Sequence, residues 1–229
     1  MKKVMQLLSL RNRFLALTLS AIASTSLAAC SQQKQAETPN ATATNASDKQ
    51  QMHGNAMNHS MAMDLGPSDA NYNLRFIDGM KPHHQGAISM AQEAQQKSKR
   101  PEIKKLADEI IKAQNQEITQ MKQWRTTWYP KAGDKPMAYD AQMGHMMEMS
   151  SDQKKGMMMN MDLGAADKDF DLRFINAMIP HHEGAVTMAQ DALKKSQRPE
   201  IKKLAENIIT SQNAEINQMK QWRKSWYNK

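Results

Sequence analysis

The chain has 229 residues, a formal net charge of +8, one cysteine and 21 methionines. A single cysteine excludes a disulfide framework and any cysteine-based zinc site. The basic residues form no cluster interleaved with aromatic side chains, so the positive charge does not indicate nucleic-acid binding. The methionine content is the compositional feature that needs an explanation.

Residues 1–29 have the pattern of a secretory signal peptide. Basic side chains precede an apolar stretch that is too short to span a bilayer as a helix. The stretch ends in Leu27-Ala28-Ala29-Cys30, which resembles the bacterial lipobox, whose cysteine is lipidated and becomes the new N-terminus. Ser31, by resemblance to known lipoproteins, favours the outer membrane. We predict an exported protein held on the periplasmic side of the envelope only by lipid at Cys30, with an ordinary signal peptide as the alternative.

Residues 30–60 are predicted to be a flexible tether. They are rich in Gln, Ala, Thr, Asn and Ser and show no apolar periodicity. Cleavage before Cys30 would leave 200 residues and remove four positive charges, which lowers the net charge to about +4. A chain of 200 residues is long enough for one good core or two small ones.

An internal repeat dominates the rest of the chain. Residues 61–129 align without a gap with residues 159–227, at a constant offset of 98, and 44 of the 69 positions are identical. Self-similarity of this kind determines the architecture before any site is considered. We divide this part of the chain into a first repeat at 61–136, a methionine-rich linker at 137–158 and a second repeat at 159–229.

Each repeat contains two helical patterns. The first carries apolar residues at three- and four-residue spacing, and Ser68-Asp69 (or Asp167) is its predicted N-cap. The second begins at Arg100-Pro101-Glu102, with proline in a favourable first-turn position. Two helices of about 28 residues joined by a tight turn predict an antiparallel hairpin. Since one hairpin cannot bury its own apolar stripe, we predict an all-α, antiparallel four-helix bundle built from the two hairpins, with pairing between two molecules left open.

The first helix of each repeat contains the stretch RFIDGMKPHHQGAISMAQ or RFINAMIPHHEGAVTMAQ. Met80 precedes His83 and His84 by three and four residues, so the three side chains project from neighbouring positions. Pro82 predicts a kink directly before the histidines. Adjacent helical residues point about 100° apart. Because His84 shares the apolar stripe with Ile77, we assign His84 to the interior and His83 to a seam between helices.

The hairpin geometry selects partners for these histidines. With the turn near residues 99–100, facing residues have numbers that sum to about 199. Met121 then lies level with Met80, and Glu117 lies level with the histidines. We predict a thioether, an imidazole and a carboxylate at one height, in both repeats. Glu117 and its copy Glu215 are expected to orient an imidazole by accepting its N–H.

The helical methionines have a second interpretation, because methionine also fills gaps in helical cores without any metal. Met90 lies roughly 9 Å along the helix from His84, so it belongs to the core or to a second site. Core packing is the favoured interpretation for Met90, Met121 and their copies Met188 and Met219, each taken singly. Two adjacent histidines beside a methionine are harder to explain by packing. The favoured ligands are therefore Met80, His83, His84, Met178, His181 and His182.

The motif FI-x-x-M-x-P-H-H-x-G-A-x-x-M-A, followed by I-x-x-x-Q-x-x-E-I-x-Q-M-x-x-W, closely resembles the family called domain of unknown function 305, over about residues 64–129 and 162–227. The resemblance implies a ferritin-related four-helix bundle, frequent export, and relatives that include periplasmic copper-binding proteins implicated in metal resistance. It also implies ten hallmark positions, all present: His83, His84, His181, His182, Met80, Met178, Met90, Met188, Met121 and Met219.

Two further segments outside the predicted helices are rich in methionine and histidine. Residues 137–161 contain nine methionines and one histidine, and the end of the tether reads MHGNAMNHSMAM. Loops run over surfaces and leave side chains exposed, so core packing explains these residues poorly. We predict metal ligands among them, in particular His53, His59, His145, Met146, Met147 and Met149.

Thioethers and imidazoles suit Cu(I), and Ag(I) accepts the same ligands. A thiol would be oxidised outside the cytoplasm, whereas a thioether needs no deprotonation. A di-iron oxidase of this fold class needs Glu-x-x-His pairs, and the chain has none. We therefore predict a non-enzymatic protein that binds copper, with Ag(I) as a second ion, for sequestration, relay or resistance. A structural bundle without metal is the alternative, and a metal-efflux or metal-delivery partner and homo-oligomerisation stay open.

Overall fold

The computed structural model describes residues 64–159 and 161–229. The predicted signal peptide, the lipidation site Cys30, and the tether with His53 and His59 lie outside the described residues. No helix in the described ranges is long and apolar enough to cross a membrane. The elements in chain order are α1 (Tyr72–Lys97), α2 (Pro101–Trp128), β1 (Met137–Asp140), β2 (His145–Glu148), α3 (Ser151–Met158), α4 (Phe170–Lys195) and α5 (Pro199–Tyr227).

The four long helices form the predicted all-α bundle. Each repeat supplies one hairpin, α1 with α2 and α4 with α5, and the hairpins meet where α1 packs against α4. The first half of α1 shares a buried cluster with the second half of α4, so these two helices run antiparallel. The prediction of a helical bundle built from two hairpins is confirmed.

The core consists of two clusters related by the repeat. The first combines the beginning of α1, the end of α2, the end of α4 and the beginning of α5; it includes Phe76, Met121, Ala189 and Leu204. The second combines the complementary halves; it includes Ala91, Leu106, Phe174 and Met219. Along α1, His83 and His84 fall between the two clusters. The histidines therefore occupy the middle of the bundle.

The helix starts differ in part from the prediction. Pro101 opens α2 as expected, but α1 begins at Tyr72 with Asn71 in the cap position. Ser68-Asp69 is thus wrong as the N-cap, and so is Asp167, since α4 begins only at Phe170. The reason is that Asp69 is engaged in the loop, where its carboxylate accepts the backbone N–H of Asn71 and pairs with Arg75. Helix α1 continues through Pro82.

The linker is folded and lies on α1. Its strands β1 and β2 form an antiparallel hairpin, and α3 begins with a capping box between Ser150 and Gln153. Both β1 and α3 contact α1. Arg125 of α2 holds the entry to the linker, because it pairs with Asp78 and donates to the carbonyl oxygens of Gly133 and Lys135.

The expectation that all linker methionines are exposed is wrong at two positions. Met149 and Met157 are only 8% and 6% exposed and belong to the first cluster, because the linker elements pack on α1 and turn these side chains inward. Met143, Met147 and Met161 remain exposed.

Candidate metal centre

Four imidazoles lie in the middle of the bundle. His83 of α1 and His181 of α4 face each other where the two helices pack, with ring centroids 3.9 Å apart and planes tilted by 49°. Both rings are buried, as are those of His84 and His182. The sequence indicated that His83 lies at a helix seam, but the hairpin register relates only helices of one repeat. The facing of the two copies required the structure.

Each of the other two histidines is bonded to a glutamate of the neighbouring helix. His84 Nε2 lies 2.6 Å from Glu117 Oε2, and His182 Nε2 lies 2.6 Å from Glu215 Oε2. A carboxylate only accepts, so this network assigns the proton of a neutral ring to Nε2. The second nitrogen, Nδ1, then carries a lone pair. On both rings Nδ1 is buried and has no hydrogen-bond partner among the described residues.

The facing pair is also short of partners. Within the described chain, neither nitrogen of His83 has a hydrogen-bond partner, and His181 has one only for Nε2, which lies 3.3 Å from the carbonyl oxygen of Met158. A buried polar atom without a partner costs free energy and calls for an explanation. A neutral imidazole nitrogen with a free lone pair is also the commonest protein ligand for metals.

Burial keeps the facing imidazoles neutral. It lowers the pKa of His83 well below its ordinary value, and repulsion from the charged forms of the other three rings adds to this. Burial likewise lowers the pKa of His181 to about 3, with contributions from His182 and His84 that the hydrogen bond to the carbonyl oxygen of Met158 partly opposes. Both rings therefore present lone pairs at neutral pH.

The four imidazoles form a layer across the bundle, and methionines from both repeats lie on its two sides. Met80 and Met121 share the first cluster with Met188 of the other repeat. Met178 and Met219 share the second cluster with Met90. All six are at most 1% exposed. Met188 thus shares a cluster with Met80 and Met121 of the other repeat, and Met90 shares one with Met178 and Met219. The alignment of a single hairpin could not reveal this.

The available donors indicate which metals fit. In the described ranges no three side chains from His, Cys, Asp and Glu converge on one point. A closed tetrahedral zinc site needs such a set. A site in this interior would have to combine imidazole with thioether, and that combination suits a soft monovalent ion.

The predicted linker ligands lie apart from the interior. His145 is exposed, and its Nδ1 lies 3.2 Å from the carbonyl oxygen of Met146. Met147 is exposed on the same strand, two residues from His145, and therefore shares its face. Met146 is partly buried, and Met149 faces the core.

A family model described as "Domain of unknown function (DUF305)" matches residues 22–125 and 73–223. The chain belongs to this family. The two matches agree with the tandem repeat, and the predicted resemblance is confirmed.

Solved structures of the protein CopM have the same fold as this DUF305 chain. A structure titled CopM in the Cu(II)-bound form is 45% identical, with a TM-score of 0.54, over 68% of this chain and 97% of CopM. Structures of its Cu(I)-bound form and its silver-soaked form are each 41% identical over the same shares, with TM-scores of 0.52 and 0.54.

A curated relative matches a shorter part of the chain. "Uncharacterized protein L153" of Acanthamoeba polyphaga mimivirus is 47% identical over 49 residues, which are 21% of this chain. The match spans 32% of the viral protein, or about a third of its length.

Proposed function

We propose that this DUF305 protein binds Cu(I), and also Ag(I), inside the helical bundle through imidazole and thioether groups. The observation that carries the proposal is the duplicated pair of His84 with Glu117 and His182 with Glu215. In each pair the carboxylate fixes Nε2, and the buried Nδ1 has no hydrogen-bond partner among the residues that the structure describes. A carboxylate that accepts the outer N–H of an imidazole is the usual support for a metal-bound histidine.

The donor set would consist of imidazole nitrogens from the histidine layer with thioethers of the two clusters. Nδ1 of His84, with Met80 and Met121, would serve one side of the layer, and the equivalent groups of the second repeat the other. All these donors are neutral, so a buried ion needs compensation for its charge. Glu117 and Glu215 supply it from the outer side of the imidazoles. A monovalent ion is less costly to bury than a divalent one, which favours Cu(I) over Cu(II).

The similarity to CopM supports copper and silver as the bound ions, but it does not identify the individual ligands. CopM, which shares the fold over almost its entire length, has structures named for bound Cu(II), Cu(I) and silver. Binding and not catalysis is the proposed role, because the chain has no Glu-x-x-His pair that could support a di-iron centre.

The proposed place of action is the cell envelope, with the protein attached by lipid at Cys30, for copper sequestration, relay or resistance. The lipobox-like sequence supports the anchor. Metabolic labelling with a radioactive fatty acid tests it. Label should enter the wild-type chain and be absent from the Cys30→Ser variant, and equal labelling of the two would contradict the anchor.

A Cu(I) titration tests the metal proposal. The chain without residues 1–30 is titrated anaerobically against a competing Cu(I) chelator, and bound ions are counted by native mass spectrometry. We expect at least one ion held more tightly than micromolar. Failure to compete at that level would favour the alternative of a structural bundle without metal. Zn(II) is the control ion, and thioether ligands should hold it poorly.

A further inference from the structure

Within the part of the chain that the structure describes, the two repeats are covered unequally. On α1 the residues Arg75, Asp78 and Pro82 are buried beside the linker elements β1 and α3. The equivalent residues of α4 are exposed or partly exposed: Arg173, Asn176 and Pro180. The side chain of Arg75 is 1% exposed, and that of Arg173 is 36% exposed. Residues three and four apart line one face of a helix. The described residues therefore leave exposed on α4 the face, here called the open face, that the linker covers on α1.

A glycine marks where the linker crosses α1. A Cβ atom built on Gly86 would overlap the carbonyl group of Met158, so the backbone of the linker approaches α1 more closely than any other residue would allow. The second repeat has Gly184 at the same position. Glycine is unfavourable inside a helix. A chain segment that crosses α4 at Gly184 would account for it.

The two facing histidines also differ in their hydrogen-bond partners. The carbonyl oxygen of Met158, at the crossing point, accepts from Nε2 of His181. The counterpart of His181 is His83, which is 0% exposed and has no partner for either nitrogen within the described ranges. By the symmetry of the repeats, the carbonyl that would serve His83 belongs to the segment crossing α4.

The connectivity identifies this segment. The linker continues into Gly164, whose carbonyl oxygen accepts from Lys97 at the end of α1. The chain before the first repeat continues into Gly66, whose carbonyl oxygen accepts from Lys195 at the end of α4. The residues that enter these two positions are nearly the same, MAMDLG at 61–66 and MNMDLG at 159–164. The described chain thus begins at the end of the open face of α4.

We propose that residues 54–63 lie along α4 and cross it at Gly184, as the end of the linker crosses α1 at Gly86. The offset of 98 places Ser60 at the position of Met158, where its carbonyl would accept from Nε2 of His83. It places His59 at the position of Met157, next to the bundle interior. These residues would therefore cover the open face of α4 in the same chain. This intramolecular contact is independent of the proposed metal function.

Photo-crosslinking from matched positions tests the contact. A benzophenone amino acid is placed at Glu183 or at its equivalent Gln85, both exposed, in the full chain with Cys30→Ser. Gln85 shares a groove with Lys154 of the linker, so crosslinks from it should appear in the tryptic peptide 156–168 or its neighbours. Crosslinks from Glu183 should appear in the peptide 50–75, at residues 54–63.

The outcomes are separated by mixing isotope-labelled and unlabelled chains. A crosslink from Glu183 to residues 54–63 of the same chain supports the proposal. A mixed-isotope product at that site shows that a second copy covers α4, and this result overturns it. A positive Gln85 control with no Glu183 product in residues 54–63 also overturns it.

A double-mutant cycle gives a second, independent test. Gly184→Ala is measured in the full chain and in a chain whose residues 54–63 are replaced by Gly-Ser repeats of equal length. We expect a lower melting temperature in the full chain and no loss in the replaced chain. Gly86→Ala is the control, and it should lower the melting temperature in both. A loss from Gly184→Ala that persists without the segment, or no loss in the full chain, would contradict the crossing.

Discussion

Methionines of the bundle interior and methionines of the linker surface differ in everything except their side chain. Met80 and Met121 are fully buried, on one side of the layer of four imidazoles, several of whose nitrogens have no hydrogen-bond partner in the described part of the chain. Met143 is 67% exposed at the tip of the linker hairpin, and Met147 is exposed on a strand. The proposed donors of the interior are held in place by the surrounding core, whereas an exposed thioether would have to give up side-chain freedom to bind an ion.

We therefore expect the two groups of methionines to determine different quantities. The interior group should determine the tightest Cu(I) affinity, and the exposed group should determine how many further ions bind. Preorganised donors in a dry interior should set the tightest constants, because little conformational entropy is lost on binding. Exposed donors should add weaker ions, and they are accessible to a partner that delivers or removes metal.

The largest effect should come from the interior thioethers. Replacing Met80, Met121, Met178 and Met219 by leucine conserves side-chain volume, so the fold should persist. We expect the tightest Cu(I) affinity to fall by more than about 100-fold, the upper end of what loss of an outer hydrogen-bond partner costs. Chelator competition measures the affinity, and circular dichroism verifies the fold. An unchanged affinity in a folded variant would assign these methionines to packing alone.

The contacts within one hairpin could be predicted from the sequence, whereas the contacts between the two hairpins could not. The spacing of Met80 and His84 and the length of the hairpin sufficed to place Glu117 level with the imidazole, because helical rise and a tight turn determine the register within one hairpin. No such rule relates α1 to α4. The facing of His83 and His181 depends on how two hairpins dock, and that depends on the packing of many side chains at once.

The linker was harder to predict for a different reason. Its hairpin and α3 are short and rich in polar residues, so no periodicity distinguishes inward from outward positions. Met149 and Met157 are buried because α1 offers a surface to the linker, and nothing in the sequence around them separates them from Met143. The N-cap prediction was wrong because Asp69 forms an ion pair with Arg75 in the loop before α1.

The next effect concerns pH and the metal-free protein. The pKa values of His83 and His181 are lowered in the folded state, so below about pH 6.5 the unfolded chain binds more protons. The free energy of unfolding should therefore fall as the pH falls from 6.5 to 5, by up to about 1.4 kcal/mol per pH unit for each ring. Above about pH 7.5, where the rings of the unfolded chain are also neutral, these rings should contribute no slope. Urea denaturation at each pH measures it.

The control for this prediction is the exposed ring of the linker. His145→Gln should leave the pH slope of the unfolding free energy unchanged, and His83→Gln with His181→Gln should reduce it. The window lies above the ordinary pKa values of Asp and Glu, which limits their contribution. A wild-type slope of zero between pH 5 and 6.5 would show that the interior rings take up protons without unfolding.

A smaller effect on Cu(I) affinity is expected from the two glutamates that are hydrogen-bonded to His84 and His182. Glu117→Gln with Glu215→Gln keeps the shape but removes the charge that orients the imidazole and offsets that of the ion. Cu(I) affinity should fall by about 10- to 100-fold. Glu183→Gln, at an exposed position of α4, is the matched control and should have no effect. Equal losses in the two variants would point to a general electrostatic effect instead of support for the histidines.

The smallest effect should come from the exposed methionines of residues 137–161. Met143→Leu, Met147→Leu and Met161→Leu together should leave the tightest Cu(I) constant within about twofold, since surface substitutions usually change free energies by less than about 0.5 kcal/mol. The number of ions seen at high copper by native mass spectrometry should nevertheless fall. If the tightest constant instead weakened as much as in the interior variant, the linker would be part of the high-affinity site, and the division between preorganised and exposed thioethers would not hold.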